Sequence, residues 1–315
     1  MKIKDWKFTK YPSISNGKPG LFSIAKFVHL IYPKSSIFRL EKQNLKILSV
    51  IVRKSMIRSV LFLLGILLFF HFPTSAQSNK AFTFGEELTF EVSYGWLELA
   101  EAKLQVAKRA VQEGSRAHYK IDAYGKTKGA ATIFGKVNDN WGTHLDTGSL
   151  LPSLSYRHIE EGKYRKHEKV YFDQEKKLAK MELYDKENKN LKEVKEFNLP
   201  GKVQDLVSGF YYLRTMDLSH LRKGESITIT GFFDKEIYNL KLIYEGKEEI
   251  DTNLGKQETF VFSPQIPKNK LFRGEYPVKV WVTTDQNKIP VKIKANLFIG
   301  SLNIDIAEAK GLRSM

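Results

Sequence analysis

No cysteine occurs anywhere in the 315 residues. That absence excludes disulfide staples, thiolate metal sites, a cysteine nucleophile and an N-terminal lipoprotein anchor, which needs a Cys to acylate. Enzyme signatures are missing as well. Gly125-Lys126-Thr127 has the tail of a phosphate-binding loop, but the earlier glycine would fall at Lys120. Without it the backbone cannot fold its N–H groups around a phosphate. Ser208 and Ser301 lack the paired glycines of a hydrolase nucleophile elbow. His167-Glu168 opens like a zinc-protease motif, yet Tyr171 stands where the second His must be. His118, His144, His158, His167 and His220 never fall at ligand spacing on a helix. No metal and no cofactor are therefore expected.

Acidic charge is scarce at one end only. The net charge is +16, but residues 1–76 hold 13 Lys+Arg against 2 Asp+Glu, and the rest hold 38 against 33. A nucleic-acid groove wants one-signed clustering with stacking aromatics. Lys163–Lys202 instead mixes 12 basic with 8 acidic residues along strand-like segments, which suits solvated faces and guarded strand edges. No nucleic-acid partner is expected.

The basic end has its own explanation. Arg53, Lys54 and Arg58 precede an apolar run from Val60 to Phe70, followed by Pro73-Thr74-Ser75-Ala76-Gln77. This is the order of a signal peptide, with cleavage expected near Ala76-Gln77. The run is too short for a membrane span, which needs about 20 apolar residues. Met56 reads as the true start, with residues 1–55 an over-extended gene start or an unusually long leading segment. The expected organisation is a non-native extension over 1–55, a signal peptide over 56–76 and a single exported β domain over 77–315. No transmembrane span is expected after cleavage.

Beyond residue 77, alternation dominates. Leu88, Phe90, Val92 and Tyr94 share one face while Glu87, Thr89, Glu91 and Ser93 share the other, the mark of a half-buried strand. The pattern recurs from Tyr119 to Ile306, punctuated by Gly114, Gly162, Asp185–Asn188, Gly246, Asn253–Gly255 and Asp285–Asn287. About 12 to 14 strands are expected, mostly antiparallel and wet on one face. Val203, Leu206, Val207, Phe210 and Leu213 break the pattern at helical spacing, so Val203–Arg214 reads as a short amphipathic helix. The expected fold is mostly β, a single large antiparallel sheet curled into a closed or half-open barrel, with this central helix covering one mouth.

Three stretches resemble a known family. They are Gly85-Glu86-Glu87-Leu88-Thr89-Phe90-Glu91-Val92-Ser93-Tyr94-Gly95, then Asp205-Leu206-Val207-Ser208-Gly209-Phe210-Tyr211-Tyr212-Leu213-Arg214, then Val280-Trp281-Val282-Thr283-Thr284-Asp285 with Lys288-Ile289-Pro290-Val291 and Gly300-Ser301. In that order they resemble the opening, central and closing motifs of the bacterial domain-of-unknown-function family numbered 3108. Leu99-Ala100-Glu101-Ala102 departs from it, since the family more often has a glycine before a small residue. The resemblance implies an exported, envelope-associated, β-rich protein of a double-membraned bacterium, with no known reaction. Periplasmic localisation follows as an expectation, and secretion beyond the outer membrane stays open.

Aromatic residues exceed what one core needs. Tyr211 and Tyr212, adjacent on the helix, lie about 100° apart and cannot share one inward face. One is expected to line a groove between helix and sheet with Arg214 nearby. Tyr211, Tyr212, Arg214 and Trp281 are thus the candidate ligand-binding residues for an apolar or amphipathic molecule such as a lipid. No catalytic residue is assigned. An envelope protein partner along a sheet edge is the other form of this non-enzymatic scaffold reading. The alternative is a hydrolase of envelope polysaccharide, using two of Asp139, Asp146, Glu275 and Asp285 across a cleft.

Overall fold

The computed structural model describes residues 79–133, 135–265 and 276–314. The expected extension and signal peptide lie outside the described residues, as does Glu275. Fifteen strands account for most of the described chain. The first group is β1 (Glu87–Tyr94), β2 (Leu97–Val106), β3 (Val111–Glu113), β4 (Arg116–Thr127) and β5 (Asn138–Asp146). Next come β6 (Pro152–Glu161), β7 (Tyr164–Asp173), β8 (Leu178–Tyr184) and β9 (Leu191–Asn198). After the helix α1 (Leu206–Thr215) follow β10 (Ser226–Phe233), β11 (Glu236–Thr252) and β12 (Gly255–Pro264). β13 (Val278–Thr283), β14 (Pro290–Asn296) and β15 (Ser301–Lys310) complete the set.

All belong to one sheet, ordered β10-β11-β12-β13-β14-β15-β1-β2-β4-β5-β6-β7-β8-β9, with β3 paired to β4. Except for β2–β3 and β9–β10, chain neighbours pair as antiparallel hairpins; β2 pairs with β4, and β15 closes back on β1 with Val92 opposite Ile304. The path has two ends, so the barrel is not closed. β10 does not pair with β9. It meets the β5–β9 half through side chains instead, Phe232 against Phe172 and Phe197, and Phe233 stacked on Trp141 at 5.6 Å. We call this meeting the seam. The backbone of β10 is occupied on its free side by Gln204, whose N–H donates to Thr230 while its carbonyl accepts from Phe232. β9 is guarded differently, by alternating Lys and Glu, which resists edge-to-edge pairing.

The helix lies within the curl, packed on β4, β5 and β10. Asp205 starts it, its carboxylate accepting from the Val207 and Ser208 N–H groups, while the Ser208 hydroxyl accepts from the Asp205 N–H. This reciprocal cap begins the helix at Leu206, three residues later than the apolar spacing predicts. Because the sheet surrounds it, the helix buries more than one stripe. Val207 and Tyr211 join the β4–β5 core with Ile121, Trp141 and Leu145. Leu213 joins the β10–β13 core with Leu242, Phe260 and Phe262.

Two sequence expectations change. Gly246 does not turn the chain. β11 runs through it as a bulge, with Tyr244 opposite Phe262 and Gly246 opposite Val261, leaving Glu245 as the extra residue. Its φ of +119° is one that glycine adopts without strain. The strands β12 and β13 are also covered on both faces. Phe260, Phe262 and Val282 belong to the helix-side core, whereas Val261 and Trp281 join a further core with Leu88, Phe90, Val291 and Ile306. Alternate side chains point to opposite faces, so this part of the sheet sits between two apolar layers.

Candidate functional site

Arg214 is the most deeply buried cation of the described chain, and its partners are all in place. Its guanidinium donates to both Glu86 carboxylate oxygens, at 2.6 and 2.8 Å, to the Asn287 carbonyl at 3.0 Å and to the Ala81 carbonyl at 3.1 Å. The bidentate pairing is the strong geometry for guanidinium and carboxylate. Burial works against the Arg214 charge, but the Glu86 contacts win and hold its pKa above the usual value. Tyr211 stacks edge-on against Phe82 beside this pair. Burial, and then the neighbouring Glu86 carboxylate, push its phenol well above the ordinary range. Its hydroxyl meets no full hydrogen-bond geometry.

The four residues singled out from sequence therefore do not form one groove. Tyr211 and Arg214 come together, but inside the core. Tyr212 is half-buried where the β4–β5 core meets the β10–β13 core. Both tyrosines face protein because the sheet wraps the helix. Trp281 sits in the other apolar layer, donating from Nε1 to Glu248 at 2.8 Å.

The seam holds a second constellation that periodicity did not reveal. Arg157 on β6 lies against the rings of Trp141 on β5 and Phe233 on β10, at 5.3 and 4.6 Å from their centroids. It donates twice to Glu168, at 2.9 and 2.5 Å, and once to Asp234 at 3.1 Å. Lys166 reaches both carboxylates at 3.0 Å. Trp141, Arg157, Glu168, Phe233 and Asp234, with Val207, Phe232 and the capping Asp205, line a cavity of about 20 Å³, room for roughly one water. The Trp141 indole N–H has no partner there. Asp205 is buried, which pushes its carboxyl up. The Thr143 hydroxyl, donating at 2.6 Å, and the cap N–H groups oppose that shift.

The outer face of the same strands carries most of the histidines. His118 and His144 flank Glu113, and Tyr156 donates to Asp122 at 2.5 Å. His158 and His167 stand 2.9 Å apart through their Nδ1 atoms. Burial, with His167 beside it, holds His158 below the ordinary imidazole value. No group of three or more metal-ligating side chains is found among the described residues.

The candidate carboxylates serve their own local structure. Asp139 accepts from the Glu160 N–H, Asp146 from the Gly148 and Ser149 N–H groups, and Asp285 from Thr283, Asn287 and Lys288. Asp139 and Asp146 lie on one strand seven residues apart, about 23 Å at strand rise, too far for a glycosidase pair.

The family model described as a protein of unknown function (DUF3108) matches residues 89–307. The chain belongs to this family. The matched span of the DUF3108 domain runs from within β1 to within β15, so it is the curled sheet itself. No curated protein matches the chain. Among solved structures, a β-barrel-like protein of the DUF1849 family from Brucella abortus is 6% identical, with a TM-score of 0.46. The alignment covers 73% of this chain and 99% of that one. A protein from Parabacteroides distasonis described as a lipoprotein is 11% identical over 74% and 98% of the two chains, TM-score 0.29. A protein from Bacteroides fragilis described as exported, with a YmcC-like fold, is 10% identical over 73% and 99%, TM-score 0.30. No helix among the described residues is long and apolar enough to cross a membrane.

Proposed function

We propose that this DUF3108 protein is an exported, non-enzymatic β scaffold of the cell envelope. It binds an apolar or amphipathic molecule at the seam between β10 and the β5–β9 half. The observation that carries the reading is the open sheet. β10 meets β5, β7 and β9 through Phe172, Phe197, Phe232, Phe233 and Trp141 instead of ladder hydrogen bonds. Parting these side chains separates Arg157 and Lys166 from Asp234 but breaks no strand-to-strand pairing, so the 20 Å³ cavity widens here without opening the ladder. Arg157 and the unpartnered Trp141 N–H, both on the cavity wall, supply donors for a polar head. Export rests on the basic segment and apolar run before Ala76. Leu206 and Val207 are the helix residues that line the cavity and would meet an inserted chain.

Native mass spectrometry of the protein recovered from the envelope fraction, followed by organic extraction, tests this. A discrete extra mass that extracts as an amphipathic molecule, and is lost in Phe233→Ala, is the expected result. A bare protein that takes up no added dodecanoate overturns it.

A further inference from the structure

The four most exposed large hydrophobic residues cluster on adjacent turns. Trp96 is 94% exposed, Ile133 84%, Ile299 80% and Phe298 59%. Trp96 lies in the β1–β2 turn, Phe298 and Ile299 in the β14–β15 turn, and Ile133 in the 3-10 turn Gly129–Ile133 after β4. The strands run in the order β14-β15-β1-β2-β4-β5. The three turns are therefore consecutive along one rim, spanning about 24 Å at sheet spacing.

Sequence and contacts both set this rim apart. Residues 94–97, 129–133 and 295–302 contain no charge in a chain that is 27% charged. The turns are also held in their outward positions. The Tyr94 hydroxyl donates to the Ile299 carbonyl at 2.6 Å, tying the first turn to the second. Gly300, at φ +73°, lies so close under the Tyr94 ring that a Cβ there would sit 2.8 Å from its hydroxyl. Lys128 reaches Glu98 at 3.3 Å and Glu101 at 3.0 Å, tying the third turn to β2. Behind the tips stand Lys126, Lys136, Lys279 and Lys294, with Lys279 directly opposite Lys294.

We propose that this rim docks on an anionic lipid bilayer surface, with Trp96, Ile133, Phe298 and Ile299 entering the headgroup region and the lysines meeting lipid phosphates. Separate convex tips do not make a groove for a peptide or helix, but they fit between headgroups. Apolar side chains ahead of a basic band are the composition of an interfacial anchor. Trp suits that depth because its ring is apolar and its N–H polar. This inference does not depend on occupancy of the seam.

Because the chain lacks cysteine, single sites can be labelled in the full-length protein. Trp96→Cys, Ile133→Cys and Ile299→Cys, each carrying an environment-sensitive fluorophore, are mixed with vesicles of 30% phosphatidylglycerol in phosphatidylcholine, or of phosphatidylcholine alone. Glu175→Cys and Asn253→Cys, on turns of the opposite rim, are the controls. The three rim labels shift to the blue with anionic vesicles and less with neutral ones, while the controls stay in water. Trp96→Ser with Ile299→Ser in the Ile133→Cys background weakens that shift by at least about tenfold in lipid concentration. Equal shifts at both rims, or none at the three tips, overturn the proposal. Blue-shifted tips without lipid that return to water on dilution also overturn it, in favour of a second copy of the chain as the occupant.

Discussion

Arg214 and Glu86 are separated by 128 positions in sequence and lie within one hydrogen-bond length in the fold. A buried ion pair of this kind is costly to break and often replaceable as a unit. Arg214→Met leaves the Glu86 carboxylate uncompensated and is expected to lower stability by about 3–5 kcal/mol in urea unfolding. Arg214→Met combined with Glu86→Leu should recover much of that loss. A single variant as stable as wild type would mean the pair does not anchor the helix. Asp205 makes a pH-dependent prediction. Burial raises its carboxyl pKa in the folded chain, so the folded state holds the proton more tightly than the unfolded one. The resulting stabilisation is complete below the unfolded value near 4 and is lost as pH rises through the folded value. Asp205→Asn keeps a capping oxygen without the charge. Wild-type stability relative to that variant should therefore decline as pH is raised from about 4. A flat or rising difference would contradict the assignment.

Among the elements, β5 shows most clearly what alternation misses. Its Gly142 lies under the Tyr156 ring, where an added Cβ would come within 2.1 Å of the ring. Gly142→Ala must displace Tyr156 from Asp122 and is expected to cost about 1–3 kcal/mol by thermal or urea unfolding. Tyr156→Ala should remove most of that sensitivity to Gly142→Ala. The strand Asn138–Asp146 has no apolar alternation because one face is closed by this glycine–tyrosine contact and the other mixes Trp141 and Leu145 with Asp139 and Thr143. β1, β4, β7, β8 and β10 to β15 were legible, since each has a run of apolar residues at period 2. The helix was legible by its spacing, but its start was not. Val203 lies before the helix and Leu206 is exposed, because the Asp205 cap overrides the apolar periodicity. The candidate site was legible only in part. Sequence singled out Tyr211 and Arg214 but not their use, which depends on Glu86. It passed over Arg157, Glu168 and Asp234, whose meeting requires β10 to fold back over β6 and β7.

In the molecule as a whole, the sheet stays open between β9 and β10. An unpaired edge on β9, a β10 bonded only to Gln204 on its free side and an aromatic seam between them leave one region without strand-to-strand pairing. Hydrogen exchange should be fastest on β9, which has a ladder partner on one side only, and slowest in β4 and β5, which are paired on both sides and packed against the helix. The same measurement tests the binding claim most directly. Exchange is followed by mass spectrometry with and without dodecanoate below its micelle concentration. Slower exchange confined to Leu191–Asn198, Gln204 and Ser226–Phe233 is expected when dodecanoate is present. Unchanged exchange across those segments, or protection spread over strands remote from the seam, would contradict it.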